Sequence, residues 1–258
     1  MWIERVRFRW LECSRLTAKE AREHAPHELG HLLAAAAWGY RNAMLGLIQK
    51  KDGSVAFVRL GFRPDSPDTP EGLFPFLVVA LAGHVFQRQG FLRKQDLKSF
   101  HDNKILLTVV KDLAQATSFL RIAALNGWLP PQPANMLHAR DIALVRNLKP
   151  KREEDLIDSK RACQGFLQLV SKTLEHPPLA LASQTAERLF EAIPPEAFQA
   201  MVDEAVARRV ISPEQMPAFL DRHLTPEVQQ RLTGIMDAYV TDAMRRFMPV
   251  KPEQPPPQ

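Results

Sequence analysis

The stretch TAKEAREHAPHELGHLLAAAAW, residues 17–38, decides how the rest of the chain is read. Thr17 with Glu20 three residues later has the form of a capping box, a signal that opens a helix. Leu29, Leu32, Leu33 and the Ala34–Ala37 run then give an apolar face, so the helix is predicted to reach Trp38. Pro26 lacks an N–H and its ring crowds the preceding turn, so it is expected to kink the helix or divide it. On this helix stands His27-Glu28-Leu29-Gly30-His31, the HExxH pattern. Histidines four residues apart project from one face, so both imidazoles can reach one cation. Glu28, three residues before His31, can stand beside a metal-bound water and take its proton as general base. Zinc suits that role because it lowers the pKa of its water toward about 7.

Two histidines and a water fill only three zinc positions, so a further protein ligand is required. A glycine and histidine farther along the same segment would supply one in some zinc peptidases, but Ala34 and Ala37 stand there. The ligand must come from elsewhere, and by chemistry alone many Asp, Glu and His residues qualify.

Working outward, residues 3–10 alternate, with Ile3, Arg5, Arg7 and Arg9 opposite Val6, Phe8 and Trp10. That predicts a strand with a basic outer face. Residues 44–61 read as a β-hairpin, with Asp52-Gly53 as a two-residue turn. After a loop rich in Pro and Asp, an apolar helix is predicted at about 73–88, then a polar segment at 89–103. A second helix is predicted at 103–126, stopped by Asn126-Gly127. Beyond Pro130 the pattern is helical throughout, at about 152–175, 179–193, 195–209, 213–223 and 226–247. Ser212-Pro213 and Thr225-Pro226 each place a capping residue before a proline at the first helical position. The terminal KPEQPPPQ has the composition of a disordered tail.

Composition narrows the function classes. The 258 residues are 45% hydrophobic and 24% charged, with 11 glycines and 21 prolines, which fits a helical globular chain better than a Gly-rich β fold. Cys13 and Cys163 are too few for a disulfide framework or a cysteine zinc cluster. The net charge of +5 is spread along the chain, which argues against a nucleic-acid partner. The longest apolar run, residues 76–82, is far below the roughly 20 residues of a membrane span, and residues 1–10 lack a signal-peptide core. The expectation is a soluble, cytoplasmic protein. Neither cysteine lies in a nucleophile motif, and there is no GxSxG elbow.

HELGHL at 27–32, the hairpin at 44–61, VVALAGHVFQ at 78–87 and DLAQAT at 112–117 together resemble the peptidase domain of the FtsH family of ATP-dependent zinc proteases. The order and rough separations agree over about residues 17–128. The resemblance implies His27, His31 and Asp112 as zinc ligands and Glu28 as the base. A carboxylate is a hard oxygen donor that offsets one of the two charges of zinc. It also implies a peptide bound as an added strand along a sheet edge. The matching segment is residues 54–60, with Val55, Ala56, Phe57 and Val58 as substrate-binding residues. The chain departs from the family where a GGRxAE-like stretch has its arginine and glutamate, which are His84 and Gln87 here. His84 is then either a polar contact behind the ligands or a packed helix histidine. No GxxxxGK[ST] phosphate loop occurs in these 258 residues, so the ATPase that unfolds substrates for the family is expected to be absent or a separate partner.

The expected fold is α+β and mainly α-helical. It comprises a zinc-metallopeptidase core with a small sheet or hairpin at 1–148, a helical C-terminal lobe at 149–248 and a Pro-rich tail at 249–258. The expected function is a stand-alone, ATP-independent zinc metallopeptidase acting on peptides or unfolded segments. Two alternatives stand beside it: a catalytically silent zinc-binding adaptor or regulator, and a helical interaction module in which HELGH is accidental.

Overall fold

A computed structural model describes residues 13–50, 57–59, 69–93, 103–132, 136–137 and 168–248. The predicted strand at 3–10, the Asp52-Gly53 turn, most of the 152–175 helix and the tail lie outside these residues. Within them the protein is mainly helical with short antiparallel strands.

Helix α1 (Ala18–Ala37) begins as the sequence predicts. The Thr17 hydroxyl accepts from the Glu20 N–H, and the Glu20 carboxylate accepts from the Thr17 N–H at 3.0 Å. Pro26 does not divide it: one helix runs through it, with Ala25, His27, Glu28 and Leu29 buried around it. One missing backbone bond is outweighed by the packing of a face buried along its length. The helix ends where Gly39 takes φ +91°, and the Tyr40 N–H closes back on the Ala35 carbonyl.

Helix α2 (Pro70–Arg93) is longer than predicted at both ends. It is the central element, packing against α1, α3 (Asn103–Leu125) and the C-terminal helices. Its Pro70–Gln87 stretch is long and apolar enough to cross a bilayer, but 83% of it is buried inside the protein, as in a core helix. Helix α3 closes at the predicted stop: Gly127 has φ +72°, and the Trp128 N–H returns to the Ala123 carbonyl at 2.9 Å.

After a helical stretch at 168–174 come α4 (Pro177–Glu191), α5 (Pro195–Arg208), α6 (Met216–His223) and α7 (Pro226–Phe247). Thr225 caps α7 as predicted, accepting from the Val228 N–H. The start of α6 differs from the prediction. Ser212-Pro213-Glu214-Gln215 is a turn, with the Gln215 and Met216 N–H groups both returning to the Ser212 carbonyl, and Pro217 follows the true first residue. These helices share one apolar core with α1 and α2. Phe86 of α2 meets Phe190 of α4 and Phe198 of α5 edge to face, with ring centroids 5.0 and 5.8 Å away.

The strands depart from a simple hairpin. β1 (Cys13–Arg15) pairs antiparallel with β3 (Ile48–Lys50), while β2 (Met44–Gly46), β4 (Phe57–Arg59) and β5 (Val210–Ile211) form a second sheet in the order β4-β2-β5. A two-residue turn at Asp52-Gly53 would set Gly46 opposite Arg59; instead Gly46 faces Phe57 and Met44 faces Arg59. The Leu47 N–H donates to the Arg209 carbonyl at 2.7 Å, and the residues that follow it, β3, pair with β1. β5 corrects the expectation of a wholly helical C-terminal half: Arg209, at φ +67°, ends α5 and turns the chain into β5, which pairs with β2.

Candidate metal centre

Three elements build the centre. α1 carries His27, Glu28 and His31; α3 carries Asp112; α2 lies between them and supplies no ligand. His27 is 1% exposed and Glu28 4%, so the HExxH face points into the protein. The Nε2 atoms of His27 and His31 are 3.0 Å apart, and Asp112 Oδ2 lies 3.0 Å from the first and 3.5 Å from the second. A tetrahedral zinc with bonds of about 2.0–2.2 Å spaces neighbouring ligand atoms roughly 3.3 Å apart. The triangle therefore has the dimensions of one face of such a site. Two imidazoles and one carboxylate suit zinc and other borderline divalent cations.

Orientation comes from α2. The His31 Nδ1–H donates to the Val79 carbonyl at 2.6 Å, which turns Nε2 toward Asp112. A hydrogen bond of this kind on the far nitrogen is the usual way a ligating imidazole is held. His27 is held differently, because its buried Nδ1 has no hydrogen-bond partner. Its ring stands edge-on to that of His31, centroids 4.7 Å apart.

The electrostatics couple these groups. Burial alone would lower the pKa of His31, but the charge and hydrogen bond of Asp112, the charge of Glu28 and the Val79 carbonyl together push it up to about 9. Asp112 shows the converse: burial would raise it, and His31 and His27 hold it well below the usual carboxylate range. The pocket is thus built for a positive charge beside Asp112, and Glu28 lies close enough to His31 to add to it.

Two glycines let the helices approach. A Cβ at Gly30 would meet the α2 backbone at Ala82, 2.8 Å from its carbonyl carbon. A Cβ at Gly83 would overlap His31 Nε2 and lie 2.8 Å from His27 Cε1. The sequence reading passed over Val79, Gly30 and Gly83. A backbone carbonyl leaves no sequence signal, but glycine inside two apolar helices of a Gly-poor chain does.

His27, His31 and Asp112 therefore come together with Glu28 on the same helix, as the motifs imply. His84 is half-buried on α2, outside the ligand group. Gln87 is buried and donates from Nε2 to the Glu23 carbonyl, tying α2 to α1. Thr117, the last residue of DLAQAT, is structural: its Oγ1 lies 2.9 Å from the Leu137 carbonyl, and the Leu137 N–H donates to Thr173.

Of the expected substrate segment, Val55 and Ala56 lie outside the described residues, and Phe57 and Val58 form β4. The Leu47–Arg209 bond fixes which way each strand residue faces. Leu45 and Leu47 direct their backbone groups at β5, so Met44 and Gly46 direct theirs at β4. Phe57 and Arg59 are then the β4 residues bonded to β2, and the Val58 N–H and C=O face the outer edge of β4. That strand also packs against α1.

No family model matches the chain, and neither does any curated protein.

Proposed function

We propose that the chain is a zinc-dependent peptidase acting on peptides and unfolded protein segments, of the FtsH-like type that its HELGHL and DLAQAT stretches resemble. One observation carries the reading: His27 Nε2, His31 Nε2 and Asp112 Oδ2 converge within 3.0–3.5 Å, and a buried Glu28 sits on the same helix between the two histidines. A purely structural cluster would need no second acidic group beside a site already balanced by Asp112.

Zinc held by His27, His31 and Asp112 would supply an acidified water and a Lewis acid for the peptide carbonyl. Glu28 would serve as the proton acceptor beside such a metal and as the donor to the leaving amine. Val79 keeps the His31 ring in register during turnover. The Val58 N–H and C=O, on the edge of β4 that no strand among the described residues pairs with, bind the main chain of an extended peptide with little demand on its sequence. Folded substrates would then depend on spontaneous opening or on a separate ATPase.

The test is metal analysis followed by cleavage. Wild type should hold about one zinc per chain, and His27→Ala or His31→Ala should lose most of it. Glu28→Gln should keep the zinc and lose cleavage of an unfolded substrate such as casein, because an amide cannot accept the water's proton. Failure of wild type to bind zinc refutes the metal reading, and cleavage surviving in the Glu28→Gln variant refutes the role of Glu28. Zinc without cleavage in wild type favours the silent adaptor instead.

A further inference from the structure

We propose that Gly83 is a positioning residue of the metal centre: its missing side chain lets the His27 and His31 imidazoles lie on the backbone of α2, where the Val79 carbonyl captures His31. A Cβ built at this position meets the two rings first. It would overlap His31 Nε2 and lie 2.6 Å from His31 Cε1 and 2.8 Å from His27 Cε1, all closer than real Cβ contacts come. The geometry of a helix explains why the clash falls here. The carbonyl of residue 79 points along the helix toward residue 83, one turn on and on the same face. A ring that approaches Val79 from the side, as His31 does at 2.6 Å, must cross the position of residue 83. Any side chain there closes the path.

Gly30 makes the contrast. A Cβ at Gly30 would meet the α2 backbone and the Phe86 Cβ at 2.9 Å, so that glycine sets the distance between two helices. Gly83 sets the placement of two rings. It bears most closely on His31 and also on His27, whose Nδ1 has no hydrogen bond and whose ring is held by packing and by the Nε2 contact to Asp112. Glycine is also a poor residue for a helix interior, so its place in the middle of α2 works against the helix and in favour of the rings.

Two measurements test this, and only the first rests on the metal reading above. In the Gly83→Ala variant, zinc affinity measured by chelator competition should fall about 10–100-fold, the usual effect of disturbing groups behind metal ligands. The visible spectrum of the cobalt-substituted protein should change with it. The second measurement is thermal unfolding of the metal-free full chain in a cycle of wild type, G83A, H27A/H31A and the triple variant. G83A should lower Tm in wild type and raise it in H27A/H31A, where the clashing rings are gone and alanine favours the helix. If G83A does not fold in the wild-type background, the triple variant must still fold. Unchanged zinc affinity and cobalt spectrum, an equal fall in Tm in both backgrounds, or a triple variant that fails to fold would each overturn the proposal. A wild type that binds no zinc refutes the metal reading, while the unfolding cycle still decides the role of Gly83.

Discussion

Phe86→Ala is the perturbation whose consequence reaches farthest through this fold. Phe86 is 0% exposed on α2, one turn past the point where α1 and α2 touch at Gly30 and Ala82. Its ring meets Phe190 of α4 and Phe198 of α5, and those two meet each other at 5.3 Å. Truncating a fully buried Phe to Ala removes about 3–5 kcal/mol through lost transfer energy and the cavity left behind. Two edge-to-face contacts, each worth about 0.5–1.5 kcal/mol beyond area, put this site at the upper end, about 4–5 kcal/mol. Phe86→Leu fills most of the space and loses the ring contacts, so about 1–2 kcal/mol is expected.

Urea unfolding in the presence of a chelator, followed by both circular dichroism and tryptophan fluorescence, measures these values without metal linkage. Both probes should report one coincident transition, because the aromatic cluster joins residues from either side of position 148 in one core. A loss below about 1.5 kcal/mol for Phe86→Ala, or two separate transitions of which only one moves, would refute the shared core. The ligands are untouched, so zinc stoichiometry should stay near one even as stability falls.

Two further outcomes are expected. Burial would raise the pKa of Glu204, but hydrogen bonds from Arg222 and His223 and the charges of Arg222 and Arg208 hold it below the ordinary value. Its contribution is therefore present above its unfolded pKa and lost as pH falls through the folded one; Glu204→Gln should cost about 1 kcal/mol in urea at pH 7 and close to nothing near pH 3, and a pH-independent difference would contradict this. Val58→Pro removes the outward N–H of β4 and spares the ladder to β2, so zinc should stay while casein cleavage falls at least tenfold; cleavage at the wild-type rate, with the fold verified, would exclude this edge as the docking site.

Features carried by a few adjacent residues were legible in the sequence. The Thr17–Glu20 box, the Asn126-Gly127 stop and the Thr225-Pro226 start are local chemistry, and each forms where the residues put it. Features that depend on distant pairing were not. Val210-Ile211 is only a strand because β2, more than 160 residues earlier, offers it an edge. Nor does any local signal mark β3 as the partner of β1. Ser212-Pro213 has the local form of a helix start, but the chain spends those residues turning from β5 into α6, so the helix waits for Met216. Pro26 fails as a breaker for a similar reason, since burial on both sides of it outweighs one absent bond.

The candidate centre divides along the same line. Its reactive atoms are written in short motifs: His27, Glu28 and His31 within five residues, and Asp112 within six. What brings them together is α2, which contributes no ligand and which the sequence marks only as an apolar helix. α2 sets the spacing to α1 at Gly30, gives way to the rings at Gly83 and fixes one of them through the Val79 carbonyl. It also stands between α1 and α3, so the distance from the two imidazoles to Asp112 follows from how both helices pack on it. A backbone acceptor carries no residue-type signature, and the two glycines mark a close approach without saying what approaches. Substitutions on the α1-facing side of α2 should therefore alter metal affinity as surely as substitutions of the ligands, though through geometry and by smaller factors.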